Sequence, residues 1–287
     1  REAGIGLQAD MAEAVKHYRK AAERGYPAAQ FHLGTCYRDG LGIAANPAEA
    51  AKWYRLAVEQ HHAEAENALG LLLVNGTGVE RDTAEALKLF HRAAEQGNAD
   101  AQTSAALLYL AGPDGGRPNP AAAIPLLTKA AQQKIPSATH ILATLYRDGQ
   151  GVARDDAEAA RLMRLAADQG SVDALFELGM FHYKGRGVPK DRVQAAQLML
   201  AAAEQGLAPA QHNLGDMLLN GDGIPKDPVK AYAWAATAAA RLERGALRTD
   251  TLKNMLAAET RLSSAEQTLA RKLAEEYKAK YVPAGAR

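Results

Sequence analysis

The stretch Ala29-Gln-Phe-His-Leu33-Gly34-Thr-Cys-Tyr37-Arg38-Asp39-Gly40-Leu-Gly42 decides the fold, because it comes back. Its closing string, Arg38-Asp-Gly-Leu-Gly, is echoed by Asn75-Gly-Thr-Gly, Arg147-Asp-Gly-Gln-Gly, Lys184-Gly-Arg-Gly and Asn220-Gly-Asp-Gly. With Gly112 filling the gap, the first glycines Gly40, Gly76, Gly112, Gly149, Gly185 and Gly221 are spaced 36, 36, 37, 36 and 36 residues apart. A second landmark runs in phase: Ala-Glu-Arg-Gly25, Ala-Glu-Gln-Gly97, Ala-Asp-Gln-Gly170 and Ala-Glu-Gln-Gly206, with His61 and Lys134 in the same slot of the other units. A fixed period of this length is the mark of a stacked repeat, in which each unit buries its apolar face only against its neighbours.

Each unit reads as two helices. The first carries Ala29, Leu33, Gly34 and Tyr37, repeated as Ala65, Leu69, Gly70 and Leu73 and as Ala174, Leu178, Gly179 and His182, spacings that share one helix face. It ends at Gly-x-Gly, whose first glycine suits a left-handed cap. Asn46, Asp82, Asn119, Asp155, Asp191 and Asp227 announce the second helix as N-caps. Its inner face holds Ala50, Trp53, Tyr54, Ala57 and Val58, and later Ala195, Leu198, Met199, Ala202 and Ala203. Leu252, Met255, Leu256 and Leu262 suggest one further helix. Leu269, Leu273, Tyr277 and Tyr281 suggest another, capped by Ser263 or Ser264.

Composition agrees. Of 287 residues 63 are alanine, against 2 Trp, 4 Phe and 10 Tyr, so the core is thin and its helices cross closely. Lys plus Arg is 34 and Asp plus Glu 33, a balance that argues against binding nucleic acid through phosphate neutralisation. The longest nearly apolar stretch, Ala231–Ala240, is half the length needed to span a bilayer. The single cysteine, Cys36, excludes an intrachain disulfide and a thiolate metal cluster, and its place on an inner face makes it a buried thiol. The chain begins with Arg1, with no signal-like apolar segment after it, which reads as a processed or excerpted chain whose targeting information lies elsewhere.

The pattern Ala-x3-Leu-Gly-x2-Tyr-x2-Gly-x-Gly-Val-x2-Asp-x3-Ala-x2-Trp-Tyr-x2-Ala-Ala-x-x-Gly resembles the Sel1-like repeat, a relative of the tetratricopeptide repeat, over about residues 1–244. The resemblance implies an all-α, right-handed α/α superhelical solenoid. Residues 1–25 would form the second half of a truncated repeat. Six repeats would follow (26–61, 62–97, 98–134, 135–170, 171–206, 207–244), and residues 245–287 would be capping helices and tail. The resemblance also implies a scaffold or adaptor for a protein or peptide partner. Bacterial relatives in the periplasm and outer membrane set the expectation of an envelope location, in exopolysaccharide export or signalling, with the cytoplasm as the alternative. A carbohydrate-binding scaffold and a cell-wall-directed hydrolase are the rival functions. Cysteine-rich members are linked to penicillin-like compounds; this chain lacks their cysteine pairs, so that activity is not carried over.

No catalytic, cofactor or metal set is expected. Gly-x-Ser-x-Gly, a Walker loop, a Rossmann fingerprint and His-Glu-x-x-His are all missing from the sequence. The eight histidines are scattered, and His17 and His182, in slots held elsewhere by Trp53 and Tyr37, read as half-buried and hydrogen-bonded. One unit is irregular: the loop Gly112–Pro118 holds the extra residue, and Pro125 falls at the sixth helical position, where it costs about 3 kcal/mol unless the helix bends.

If the first helices line a concave groove, as the resemblance implies, three slots face it. The slot two before the Leu of Leu-Gly gives Phe31, Asn67, His140, Phe176 and His212; the slot five after it gives Arg38, Arg147 and Tyr183; the next gives Asn75 and Asn220. These vary while the packing slots stay constant. Amides suit peptide backbones, flat rings suit anchors, and arginines clamp carboxylates.

Overall fold

A computed structural model describes residues 2–282, with backbone alone for residues 2–9 and Asp114. Fifteen α-helices follow one another among the described residues: α1 (Glu2–Ala22), α2 (Pro27–Asp39), α3 (Pro47–Val58), α4 (Ala63–Asn75), α5 (Thr83–Glu95), α6 (Ala99–Ala111), α7 (Pro120–Gln132), α8 (Pro136–Asp148), α9 (Asp156–Asp168), α10 (Val172–Lys184), α11 (Arg192–Glu204), α12 (Ala208–Asn220), α13 (Pro228–Arg241), α14 (Ala246–Glu259) and α15 (Ser264–Tyr281). The architecture is an α-solenoid of paired helices. The chain divides into two compact units, residues 1–138 with 150–152, and residues 139–149 with 153–287.

The local chemistry of each pair is the same. Asn46, Asp82, Asn119, Asp155, Asp191 and Asp227 all accept backbone N–H groups in the first turn of α3, α5, α7, α9, α11 and α13. First helices end in a left-handed glycine, such as Gly185 (φ 70°), whose N–H bonds Phe181 O. Two residues on, Gly187 lies against the first turn of α9, and a Cβ there would run into the carbonyl oxygen of Asp156. The two glycines of Gly-x-Gly therefore have separate tasks, one ending a helix and one letting the loop rest on the preceding pair. Gly112 differs from the expected left-handed cap: its ψ is 107°, because the inserted loop leads into a 3-10 turn, Pro113–Gly115. His61 and Lys134 adopt φ of 58° and 63°, so the glycine slot they fill keeps its left-handed backbone even with a side chain.

Within a pair the crossing is close because one side is bare. A Cβ on Gly34 would sit 2.6 Å from Tyr54 Cε1, and Tyr54 is fully buried. In residues 1–138 the core gathers Ala50, Tyr54, Leu69, Leu72, Leu89 and Phe90. In the second unit it gathers Met199, Leu214, Met217, Leu218 and Trp234. Burying each such large side chain contributes roughly 1.5–3 kcal/mol. Cys36 is buried, and burial pushes its thiol pKa up.

α7 includes Pro125, with Ala123, Leu127, Ala130 and Ala131 on its buried face. Two expectations are corrected. His17 is exposed, its side chain 73% accessible and 3.6 Å from Glu13, because nothing among the described residues covers that face of α1. His182 is buried and bonds Arg164 as expected. α14 does not bury its leucines: Leu252 and Leu256 are exposed, and Thr251 and Ala258 point inward instead. α14 and α15 both pack on α13, and Arg271 of α15 reaches Glu259 at the end of α14 at 2.7 Å. Ser263 and Glu266 close a capping box at the start of α15, and against Trp234 the Tyr277 ring lies tilted at 4.5 Å and the Tyr281 ring stacked at 5.2 Å.

Candidate functional site

The face of interest belongs to α2, α4 and α6 in the first unit and to α8, α10 and α12 in the second. In the first unit Phe31 is half-buried, with the rings of His32, Tyr54 and His62 at 5.3, 5.9 and 5.3 Å. Arg38 is exposed but engaged: its Nε and Nη2 donate to the two carboxylate oxygens of Asp39, both at 2.7 Å. This pairing raises the pKa of Arg38 and lowers that of Asp39. Asn67 holds its Oδ1 buried without a hydrogen-bond partner among the described residues. Asn75 ends α4 in solvent. Between these polar positions Leu71 and Leu107 stand exposed.

The second unit concentrates more of the predicted residues. Arg147 donates through Nε and Nη2 to Asp148 at 2.7 and 2.9 Å, and through Nη1 to Glu177 on α10. These bonds hold the Arg147 pKa well up and the Asp148 pKa down. His140 Nε2 lies 3.5 Å from the other Glu177 oxygen. Burial alone would push the Glu177 pKa up, but the nearby His140 and the hydrogen bond and charge of Arg147 outweigh it and leave it lowered. Phe176 borders the same cleft, of about 330 Å³, with Met180, Lys184 and Arg186.

Next along the face, Tyr183 donates its hydroxyl to Asp222 at 2.9 Å, which raises its pKa, and the guanidinium of Arg192 lies over its ring at 5.6 Å. Tyr183 also lines a second cleft of about 100 Å³, with Met180, Met199, Asn213, Asp216 and Met217. Asn213 donates to Met180 Sδ at 3.3 Å. His212 is half-buried with Thr251 Oγ1 2.8 Å from its Nδ1, and burial pushes its pKa down. Asn220, exposed at the end of α12, donates to Asp216 at 3.0 Å.

The structure thus brings Arg147, Phe176 and Tyr183 to two adjoining clefts, with His140 beside Glu177 and with His212 and Asn220 on α12. In the first unit Phe31 and Arg38 lie on α2, and Asn67 and Asn75 on α4. Reading the sequence missed Glu177, Met180, Asn213 and Asp216. Their slots, one before and two after the Leu of Leu-Gly, were not followed, although they too vary: His32, Ala68, Ser104, Ile141, Glu177, Asn213 in one and Thr35, Leu71, Leu107, Thr144, Met180, Asp216 in the other. Among the described residues no group of three or more His, Cys, Asp or Glu is placed to hold a metal ion, and no helix is long and apolar enough to cross a membrane.

Comparison with known proteins gives a consistent answer. The model of the family described as Sel1 repeat matches residues 1–26, 27–62, 63–98, 99–134, 136–171, 172–207 and 208–241. A protective antigen present in uropathogenic Escherichia coli strains, displaying an SLR fold, is 32% identical over 96% of this chain with a TM-score of 0.86. This chain spans 58% of that protein's length. A Sel1 repeat protein from Oxalobacter formigenes is 30% identical, with 85% of this chain and 97% of that one covered and a TM-score of 0.71. No curated protein matches the sequence.

Proposed function

This chain belongs to the Sel1 repeat family, whose members are in general scaffolds for protein interactions, and from that premise we propose that it is a non-catalytic adaptor binding a peptide or protein segment on its first-helix face. One observation carries the reading. The slots that pack one helix on another hold to alanine, glycine and leucine, while the slots facing outward on α8, α10 and α12 change from repeat to repeat and border two open clefts. Rings, amides and charged groups set around an apolar floor suit an extended chain.

Partner capture tests it. The chain, immobilised, is exposed to bacterial envelope and cytosol fractions, and bound proteins are compared with those held by a variant in which Tyr183 and Phe176 are both replaced by Ala. Loss of specific partners with an unchanged helical melting curve is the expected result; identical captures by the two proteins would reject the assignment.

An envelope setting, in exopolysaccharide export or signalling, is part of the same proposal, and the likeness to a protective antigen supports it. Fractionation of the native organism decides it, and recovery in the cytosol alone would refute the location while leaving the scaffold reading intact.

A further inference from the structure

Resting on that reading of the first-helix face, we infer that its second unit selects a segment with one apolar anchor side chain set between an acidic and a basic residue. The anchor's seat is the smaller cleft, where Met180 forms a wall shared with the larger one and Met199 and Met217 lie buried beneath. Unbranched thioethers adapt to more than one shape, so an aliphatic or an aromatic anchor fits.

The flanking charges follow from removing every group already paired. Arg147 is bonded to Asp148 and Glu177, Arg186 to Asp156 at 2.9 Å, and Arg192 to Asp222. Among the groups lining the two clefts, two charges then have no opposite partner among the described residues: Lys184 on the larger cleft and Asp216 on the smaller. Asp216 accepts from Asn220 and Asn254, neutral amides that leave its charge in place. His212, one turn before it, is held toward the neutral form by burial.

Their order on the surface is set by the repeat. Met180 and Asp216 stand in the same register of neighbouring first helices, two residues after the Leu of Leu178-Gly and Leu214-Gly. Lys184 lies one turn beyond Met180 on α10, about 6 Å along the axis. A bound chain crossing from Lys184 over Met180 to Asp216 therefore meets a cation, an apolar seat and an anion in turn. In Lys184's slot the other repeats carry Asp39, Asn75, Ala111, Asp148 and Asn220, so the cation is particular to this repeat.

The probe is a phage-displayed library of random dodecapeptides selected on the full chain, with the enriched peptides synthesised and titrated by fluorescence anisotropy. The expected consensus has one aliphatic or aromatic residue between an acidic and a basic one. Met180→Ala should weaken such a peptide about tenfold or more. Lys184→Glu and Asp216→Asn should each weaken it by up to about fivefold, and reselection on Lys184→Glu should replace the acidic flank by a basic one. Enriched peptides whose affinity is unchanged by all three substitutions, but lost on Phe31→Ala or Asn67→Ala, would overturn this inference and leave the proposed function standing. A library that yields no peptide above blank support would overturn both. Matching circular-dichroism melts show that the variants are folded.

Discussion

Glu66 is fully buried, and Arg92 Nη2 lies 2.6 Å from its Oε1. The same slot holds Gln30, Gln102 and Gln211, each donating an amide N–H to a carbonyl eight residues back: Ala22 O at 3.3 Å, Ala94 O at 3.3 Å and Ala203 O at 3.1 Å. Glu66 has no such N–H, and Arg92 supplies it instead, donating to Val58 O at 3.2 Å. Burial raises the pKa of Glu66, and Arg92 only partly opposes this. The sign follows: a carboxyl whose folded pKa lies above its unfolded one binds its proton more firmly when folded, so stability falls as pH climbs from the ordinary carboxylate range through the raised value. Glu66→Gln should flatten this part of the stability–pH curve and raise stability at neutral pH. Urea midpoints measured from acid to neutral pH check it; an unchanged slope would show that Glu66 is not the group responsible.

Arg92 should matter only because of Glu66. Its removal leaves a buried carboxylate without its cation and Val58 O without its donor, a loss of about 1–3 kcal/mol for a pair open to solvent on the arginine side. With Gln at position 66 the amide can reach Val58 O itself. Arg92→Ala should then cost well under half as much. A double-mutant cycle reads the coupling directly, and additive costs would contradict it.

The sequence made the repeat legible because backbone geometry demands glycine at fixed places and N-capping demands a short polar side chain. Asn46 to Asp227 accordingly cap the helices they announce. What it left obscure depends on neighbours across the stack. His17 and Trp234 share a slot, yet His17 faces solvent while Trp234 is covered by Tyr277 and Tyr281 from a helix outside the repeat. The candidate face was legible by slot; its side-chain pairings were not. Arg38 and Arg147 are each engaged by the very next residue, a contact that helix-face reasoning passes over because adjacent positions do not face each other. Glu177, which gathers Arg147 and His140, reaches them from the next first helix.

Two glycines of positive φ should respond very differently to the same substitution. Gly187 has φ 65° and no room for a Cβ beside Asp156 O, so Gly187→Ala must both strain its backbone and push the loop off α9. Gly170 has φ 96° and open space around it, in the slot where His61 and Lys134 carry side chains. Gly170→Ala should cost only the conformational strain, about 1–2 kcal/mol, and Gly187→Ala clearly more. Thermal melts of the two variants decide it, and equal losses would show that contact with α9 adds nothing.

The last repeat leaves its amide ladder incomplete. Gln60 donates to Gln30 Oε1 at 2.9 Å, and Gln133 donates to Gln102 Oε1 and to Gly97 O, both at 3.0 Å. In the corresponding position, at the end of α13, stands Arg241, which reaches Gly206 O, while Gln211 Oε1 stays buried with no hydrogen-bond partner among the described residues. A glutamine in place of Arg241 could serve both acceptors as Gln133 does. Arg241→Gln should therefore stabilise the C-terminal repeat by about 1 kcal/mol, the usual net value of one hydrogen bond to a buried acceptor. Hydrogen exchange locates the gain: slower opening of α12 and α13 amides is expected. Faster opening would mean that the guanidinium contact with Gly206 outweighs the missing bond to Gln211.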